Sequence, residues 1–227
     1  MRALRPALSI LALAAAPYAG NAAAAPEIAV DVGHTHAKPG AISASGVPEF
    51  EFNLALASQL RVSLEAAGMR VRMIGERGDF AVLHERTRAA HGADLFVSIH
   101  HDSVQARYLT TAEKFAGFSL FVSRANPQLA RSLACASAIG AALRRAGFKP
   151  SLYHADPVLG ENRPFADREN GVHYFDNLAV ARAATMPALL VEAGVIVNRE
   201  EEARLAMPAT RVALADAISG GVVQCQN

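Results

Sequence analysis

The chain has no tryptophan, only two cysteines and almost no excess of either charge. Each shortage removes a class of protein. A formal charge of +1, from 22 Lys+Arg against 21 Asp+Glu, provides no basic footprint for a nucleic acid. Cys135 and Cys225 are too few for a disulfide-dense scaffold or a four-cysteine zinc cage. Sixteen glycines and eleven prolines in 227 residues are near ordinary usage, which excludes collagen-like and low-complexity chains. The motif H-E-x-x-H is missing, and with it the helix of the common zinc proteases. Apolar residues are plentiful: 52% hydrophobic against 19% charged, with a mean hydropathy of +0.17, excludes a disordered chain.

Part of that apolar surplus lies at the N-terminus. Arg2 and Arg5 precede an apolar run from Ala7 to Ala16, followed by small residues ending in Asn21-Ala22-Ala23-Ala24-Ala25. A positive start, an apolar core and an A-x-A-like site are the plan of a secretory signal peptide cleaved near Ala25. The competing reading is a membrane anchor. The run is short for a bilayer, and Pro17 and Gly20 interrupt it. The expectation is a leader at 1–25 and an exported domain at 26–227, periplasmic or secreted, with no membrane span in the mature chain. Removing the leader's two arginines takes the formal charge from +1 to about −1. An oxidising compartment permits a Cys135–Cys225 bridge. A buried free thiol at Cys135 is the equal alternative.

The rest of the chain alternates strand-like and helix-like segments. Strands are expected over 28–32, 70–74, 94–100, 117–123 and 188–194. Helices are expected over 49–67, 82–91, 127–146 and 200–218, with Pro48 at the start of the first and Gly68, Gly92 and Gly147 as stops. That order specifies one α/β domain with a mixed, mostly parallel sheet flanked by helices. The least regular stretch is 149–179, rich in Pro and Gly, and a loop that long inside a domain is usually functional.

Three buried strands end on groups able to do chemistry. The first runs Val30-Asp31-Val32-Gly33-His34, the third reaches His100, and the fifth carries Glu192 within Leu189-Leu190-Val191-Glu192-Ala193. Ligands bind outside the carboxyl ends of strands in open α/β sheets, so parallel neighbours would bring His34, His100 and Glu192 to one crevice. Glu49 sits in the first turn of its helix, where a carboxylate is electrostatically comfortable in any case. The glycines at 33, 40 and 46 let the connection fold it back towards His34. Two imidazoles and a carboxylate are a common catalytic zinc set with one position left for water. Zinc lowers the pKa of that water to about 7 and polarises a carbonyl. Glu192 is then the natural acid/base, because a carboxylate in an apolar strand is costly without a task or a partner. The plainer readings are a surface histidine at each strand end and a helix-dipole role for Glu49. The coincidence of strand ends and helix start argues against both.

At these residues the sequence resembles a known family. Val30–His34, Gly46-Val-Pro-Glu49-Phe-Glu-Phe-Asn53, Phe96-Val-Ser-Ile-His100 and Pro187-Ala-Leu-Leu-Val-Glu192-Ala-Gly194 with Asn198 look like the zinc-dependent N-acetylmuramoyl-L-alanine amidases, in the branch typified by periplasmic cell-division amidases. Arg77-Gly-Asp79 and the Glu85-Arg86-Thr helix match as well, and the resemblance spans about residues 27–205. It implies an amidase/phosphorylase-hydrolase-like fold and one Zn²⁺ held by His34, Glu49 and His100, with Glu192 as catalytic acid/base. It also implies hydrolysis of the amide between the lactyl group of N-acetylmuramic acid and L-alanine in peptidoglycan. An activator protein is an implied partner of some relatives, in which a helix near 149–179 blocks the zinc. Here that stretch reads as a substrate-contacting loop, in which Arg163, Arg168 and His173 could meet acidic stem-peptide groups or simply face solvent. His101 and Glu51 are the competing ligands, and His36 is a neighbour or a solvent-facing residue. Two other functions stay open: a non-catalytic peptidoglycan-binding protein on the same fold, and a zinc peptidase cutting within the stem peptide.

Overall fold

In the computed structural model the described residues are 24–226. The expected leader thus lies outside them except for its last two residues. Seven strands form one sheet in the order β2-β1-β3-β7-β4-β6-β5. Strands β1 (Glu27–Val32), β2 (Arg70–Ile74), β3 (Leu95–Asp102) and β7 (Ala188–Val195) pair in parallel. β4 (Ser119–Val122) runs antiparallel to β7, β6 (Val172–Tyr174) parallel to β4, and β5 (Phe165–Asp167) antiparallel to β6.

The alternation of side chains along the central strands decides what covers each face. Val30, Val32, Leu95, Val97, Ile99, Leu189, Val191 and Ala193 point into the main core, which α1 (Glu49–Ala66), α3 (Leu129–Arg145) and α6 (Pro208–Gln226) close. Ala29, Phe96 and Ala188 point the other way, onto α2 (Leu83–Ala89) and α4 (Ala179–Ala183). On this second face the side chains that follow in the alternation are Asp31, Ser98, His100 and Glu192, the polar ones. β1 connects through α1 to β2 on one side and has β3 on the other. The chain direction therefore diverges beside the carboxyl ends of β1 and β3, and a crevice opens there.

Most element boundaries fall within two residues of those the sequence implies. Three differ. The strand ending in His100 continues through His101 and Asp102. The expected helix over 200–218 is two helices, α5 (Arg199–Leu205) and α6, because Pro208 lacks an N–H and disfavours a helical Met207. Proline is then well placed as the first residue of α6. The expected loop over 149–179 contains β5, β6 and a single 3-10 turn at Tyr153–Ala155. Strands of three residues are too short to show a period.

Cys135 and Cys225 form a disulfide between α3 and α6, 90 residues apart in sequence. The two helices approach closely at Gly221, where a Cβ would collide with the backbone of Ile139. A cross-link closing so long a loop restricts the unfolded chain by about 4–5 kcal/mol in the loop-entropy description. The Cys135→Ser/Cys225→Ser double variant should therefore lose several kcal/mol in urea denaturation. Reductant should shift the wild-type midpoint in the same direction and leave the variant unchanged.

Candidate metal centre and active-site cleft

Glu49 is the hub of the crevice. Its carboxylate is 4% exposed and lies between two imidazoles: His34 Nε2 is 3.0 Å from Oε2 and His100 Nδ1 is 3.1 Å from Oε1. One ligand atom from each of His34, Glu49 and His100 falls within 4.8 Å of the others, a grouping that could hold a metal ion. Burial alone pushes the Glu49 carboxyl up, but hydrogen bonds and charge from His100 and His34 together hold it well below the usual carboxylate range.

The backbone is shaped to let these groups meet. His34 follows β1 at a left-handed φ of 70°, which turns its ring back over the strand end. A Cβ on Gly33 would collide with the His100 imidazole, and one on Gly40 (φ 81°) with Glu49 Oε2 and the His34 ring. Only glycine leaves room for the cluster at these two points. Several donors then orient the Glu49 carboxylate. Asn53 Nδ2, one helical turn on, donates to Oε1 at 3.1 Å and to Gly33 O at 3.2 Å. The N–H of Ala41 donates to Oε2 at 3.1 Å and that of His101 to Oε1 at 3.3 Å.

His101, one of the two competing ligands, points to the opposite face of β3. It is buried, its Nδ1 lies 2.8 Å from Asn53 Oδ1, and burial chiefly lowers its pKa to about 4. A neutral imidazole there holds the asparagine that holds Glu49, a support contact of the kind that orients metal ligands. Glu51 is exposed on α1, away from the group. His36 is exposed, with its ring edge-on to Phe50. His173 does not face the cleft: it is fully buried beneath the 149–164 segment, between Phe165 and Phe121. Arg168 is exposed and lies over the Phe165 ring.

Glu192 lies beside the cluster, its Cα paired with that of His100 across β3 and β7. Its Oε2 is buried with no hydrogen-bond partner. Burial raises its pKa well above the usual value, the charges of Asp102 and Glu49 raise it further, and Arg163 partly opposes them. The nearby Asp102 is, by contrast, fully engaged: it accepts from Tyr153 O–H at 2.6 Å and from Ser103 N–H at 2.7 Å, and meets His154 Nε2 at 2.8 Å. The two adjacent carboxyls thus sit in unlike surroundings, one engaged by three donors and one with a buried oxygen left over.

On the β1 side of the cluster is a cavity of about 280 Å³ lined by His34, His100, Thr35 and Lys38 and by apolar Phe80, Leu83 and Val180. Its floor rests on Arg86, a residue no sequence pattern marked as part of the site beyond the family match. Arg86 is 2% exposed and donates to Asp31 Oδ1 at 2.7 Å, to Phe80 O, to Val32 O and to the carbonyl of His34. Ser98 donates to the other oxygen of Asp31 at 2.7 Å. The Asp31–Arg86 pair thus pins the carbonyl of the strained His34. Asn198, another residue of the family match, caps α5, accepting from the N–H groups of Glu200 and Glu201. Arg86→Met would leave Asp31 buried beside no cation, and we expect a loss of about 3–5 kcal/mol in chemical denaturation.

The sequence model of the family described as N-acetylmuramoyl-L-alanine amidase matches residues 28–224. The chain is 28% identical over 221 residues to the N-acetylmuramoyl-L-alanine amidase AmiA of Salmonella typhimurium, covering 86% of this chain and 74% of that protein. It is 30% identical over 227 residues to the amidase AmiC of Neisseria meningitidis, covering 91% of this chain and 54% of that longer protein. Among solved structures, the catalytic domain of CwlV, an N-acetylmuramoyl-L-alanine amidase from Bacillus (Paenibacillus) polymyxa var. colistinus, superposes with a TM-score of 0.69 at 25% identity, covering 88% of this chain and 97% of that one.

Proposed function

The chain belongs to the N-acetylmuramoyl-L-alanine amidase family, and from that premise we propose that it is a zinc hydrolase that cuts the amide between N-acetylmuramic acid and L-alanine in peptidoglycan. The observation that carries the reading is the pairing of a three-donor cluster with a separate carboxyl, one strand away, whose Oε2 is buried without a partner. A binding protein on the same fold would have no use for an orphaned Glu192 Oε2, whose burial is unfavourable unless it works.

The donors fit zinc: two imidazole nitrogens and a carboxylate oxygen, with supporting hydrogen bonds behind Glu49. We assign His34, Glu49 and His100 as its ligands. Zinc, when bound, supplies Lewis acidity for the carbonyl and lowers the pKa of water. Glu192 Oε2 takes the proton of the attacking water and returns it to the nitrogen of the departing L-alanine as the C–N bond breaks. The burial that raises the Glu192 pKa above the ordinary carboxylate value favours the acid half of this exchange. The products are a lactyl carboxylate on the sugar and a peptide with a free amino terminus.

His34 and His100 keep 31% and 17% of their side chains exposed, so the ligand face is open to solvent and substrate. The 149–179 segment places short strands and one 3-10 turn beside the site, where a blocking helix would be needed for control by an activator protein. We read this protein as needing no displacement of a plug. Export is part of the same proposal: the sequence pattern of a leader at 1–25 and a disulfide suited to an oxidising compartment support an exported domain at 26–227. Among the described residues no helix is long and apolar enough to cross a membrane.

The test is product analysis on purified sacculi. The zinc-loaded protein should release stem peptides with free L-alanine amino termini, and a chelator should stop it. Muropeptides that stay intact would refute the proposal, and cuts within the stem would make the protein a peptidase. Glu192→Gln should lower turnover by at least about a thousandfold while retaining stoichiometric zinc; loss of zinc in that variant would make Glu192 a ligand.

A further inference from the structure

The segment that leads from α3 to β5 carries a charge for which the reaction above has no use. It is tied down at His154, which is 3% exposed: Nε2 lies 2.8 Å from Asp102 Oδ2 and Nδ1 2.8 Å from Glu161 Oε2. Burial opposes a charged imidazole, but the two carboxylates outweigh it and raise the pKa of His154. Gln105 Nε2 donates to Gly160 O at 2.8 Å, and a Cβ on Gly160 would collide with the Tyr153 carbonyl. Asn162 then turns the chain at a left-handed φ of 53°, and the N–H of Arg163 donates to His154 O at 2.8 Å. The backbone before Arg163 is therefore fixed from both sides.

The Arg163 guanidinium lies on aromatic rings, its central carbon 3.7 Å from the Phe175 centroid and 5.1 Å from that of Phe121. Phe121 pairs with Leu190, two residues before Glu192 and on the same face of β7. Arg163 thus overlies the face that bears Glu192, near enough for its charge to act on that carboxyl. Its nearest carboxylate is Glu161, 3.7 Å from Nε and too far for a hydrogen bond. Among the described residues nothing accepts a hydrogen bond from the guanidinium. Arg124 shows the contrast: it also stacks, on Tyr174, but spends its donors on Asp176 at 2.6–3.1 Å. A flat cation of five donors, with its side chain 22% exposed and its edge free, is pre-organised for a planar anion.

The sheet order says which part of the substrate meets it. Across β1, β3, β7 and β4 come His34, His100, Glu192 and then Arg163 over Phe121. Charge on the carbonyl oxygen develops at the His34–Glu49–His100 end. Protonation by Glu192 requires the leaving amine beside it, and β4 with Arg163 lies on the side of Glu192 away from the His34–Glu49–His100 group. We propose that Arg163 is a substrate-binding residue that receives a carboxylate of the stem peptide, on the leaving-group side of the scissile amide, in a two-point guanidinium contact. This rests on the amidase reading and adds to it a preference for stem peptides whose carboxyl is free over those in which it is amidated.

The experiment uses the folded, zinc-loaded chain and two N-acetylmuramoyl peptides that differ only in one stem carboxyl, free or amidated. The wild type should show a KM about tenfold or more lower for the free acid with similar kcat. Arg163→Gln should abolish that difference by raising KM for the acid alone. Arg163→Lys should restore only part of it, because an ammonium cannot make the two-point contact. Equal KM values in the wild type would overturn the proposal. So would an Arg163→Gln variant that slows both peptides equally, since that outcome assigns Arg163 to packing. A folded, zinc-loaded wild type that hydrolyses neither peptide would instead sink the amidase reading, and the proposal with it.

Discussion

A buried carboxylate shared between two imidazoles is the constraint around which the rest of the molecule is arranged. Glu49 comes from the first turn of a helix, His34 from the turn just after β1 and His100 from β3, so three parts of the fold must agree to within an ångström or so. Glycine at 33 and 40 clears the space, and Asn53 and two backbone N–H groups fix the carboxylate. Arg86 and Asp31 hold the strained His34 from below. The loop leading to Glu49 is anchored further out, where Glu202 of α5 accepts from Ser43 at 2.6 Å and the N–H of Ala44 reaches Ile196 O. Local backbone strain at His34 persists because so many contacts determine it.

The division of labour among the carboxyls follows from which of them have partners. Glu49 is surrounded by donors and stays ionised; Asp102 is engaged by Tyr153, His154 and Ser103; among the described residues Glu192 is left with a buried Oε2 that has no partner. The same strand supplies this contrast. Leu189, Val191 and Ala193 bury one face of β7 in the main core, which fixes Glu192 on the other, opposite His100. Moving the register by one residue would put the carboxyl into the hydrophobic core and an alanine or valine at the site.

How much of this could be read from the chain depends on the length of the signal. The central strands and α1 were legible because apolar-rich strands of six to eight residues, or eighteen residues of helix, outvote local noise, and they carry His34, Glu49, His100 and Glu192 with them. The split at Pro208 was legible too, since a proline inside a helical pattern is a stop signal, and the expectation of one helix passed over it. β5 and β6 were not: three residues have no period, and their place in the sheet comes from pairing with β4. The role of Asn53 and the buried place of His173 are tertiary facts, fixed by partners 48 and 10 residues away.

The 149–164 segment joins the two kinds of information. Its composition marks it as irregular, and its residues taken singly read as solvent-facing polar groups. The fold converts them into a connected set, because β4 runs antiparallel to β7 and brings the segment over the face that carries Glu192. One member, His154, satisfies two carboxylates and is consumed in doing so; Glu161 and Asp102 are consumed with it. Arg163 keeps its hydrogen-bond donors once these pairs are made: it stacks on two rings, and Glu161 stands 3.7 Å from Nε, an ion pair without a hydrogen bond. On the proposed reading the substrate offers a leaving amine to Glu192, whose Oε2 has no partner, and a carboxylate to Arg163, whose guanidinium makes no hydrogen bond among the described residues.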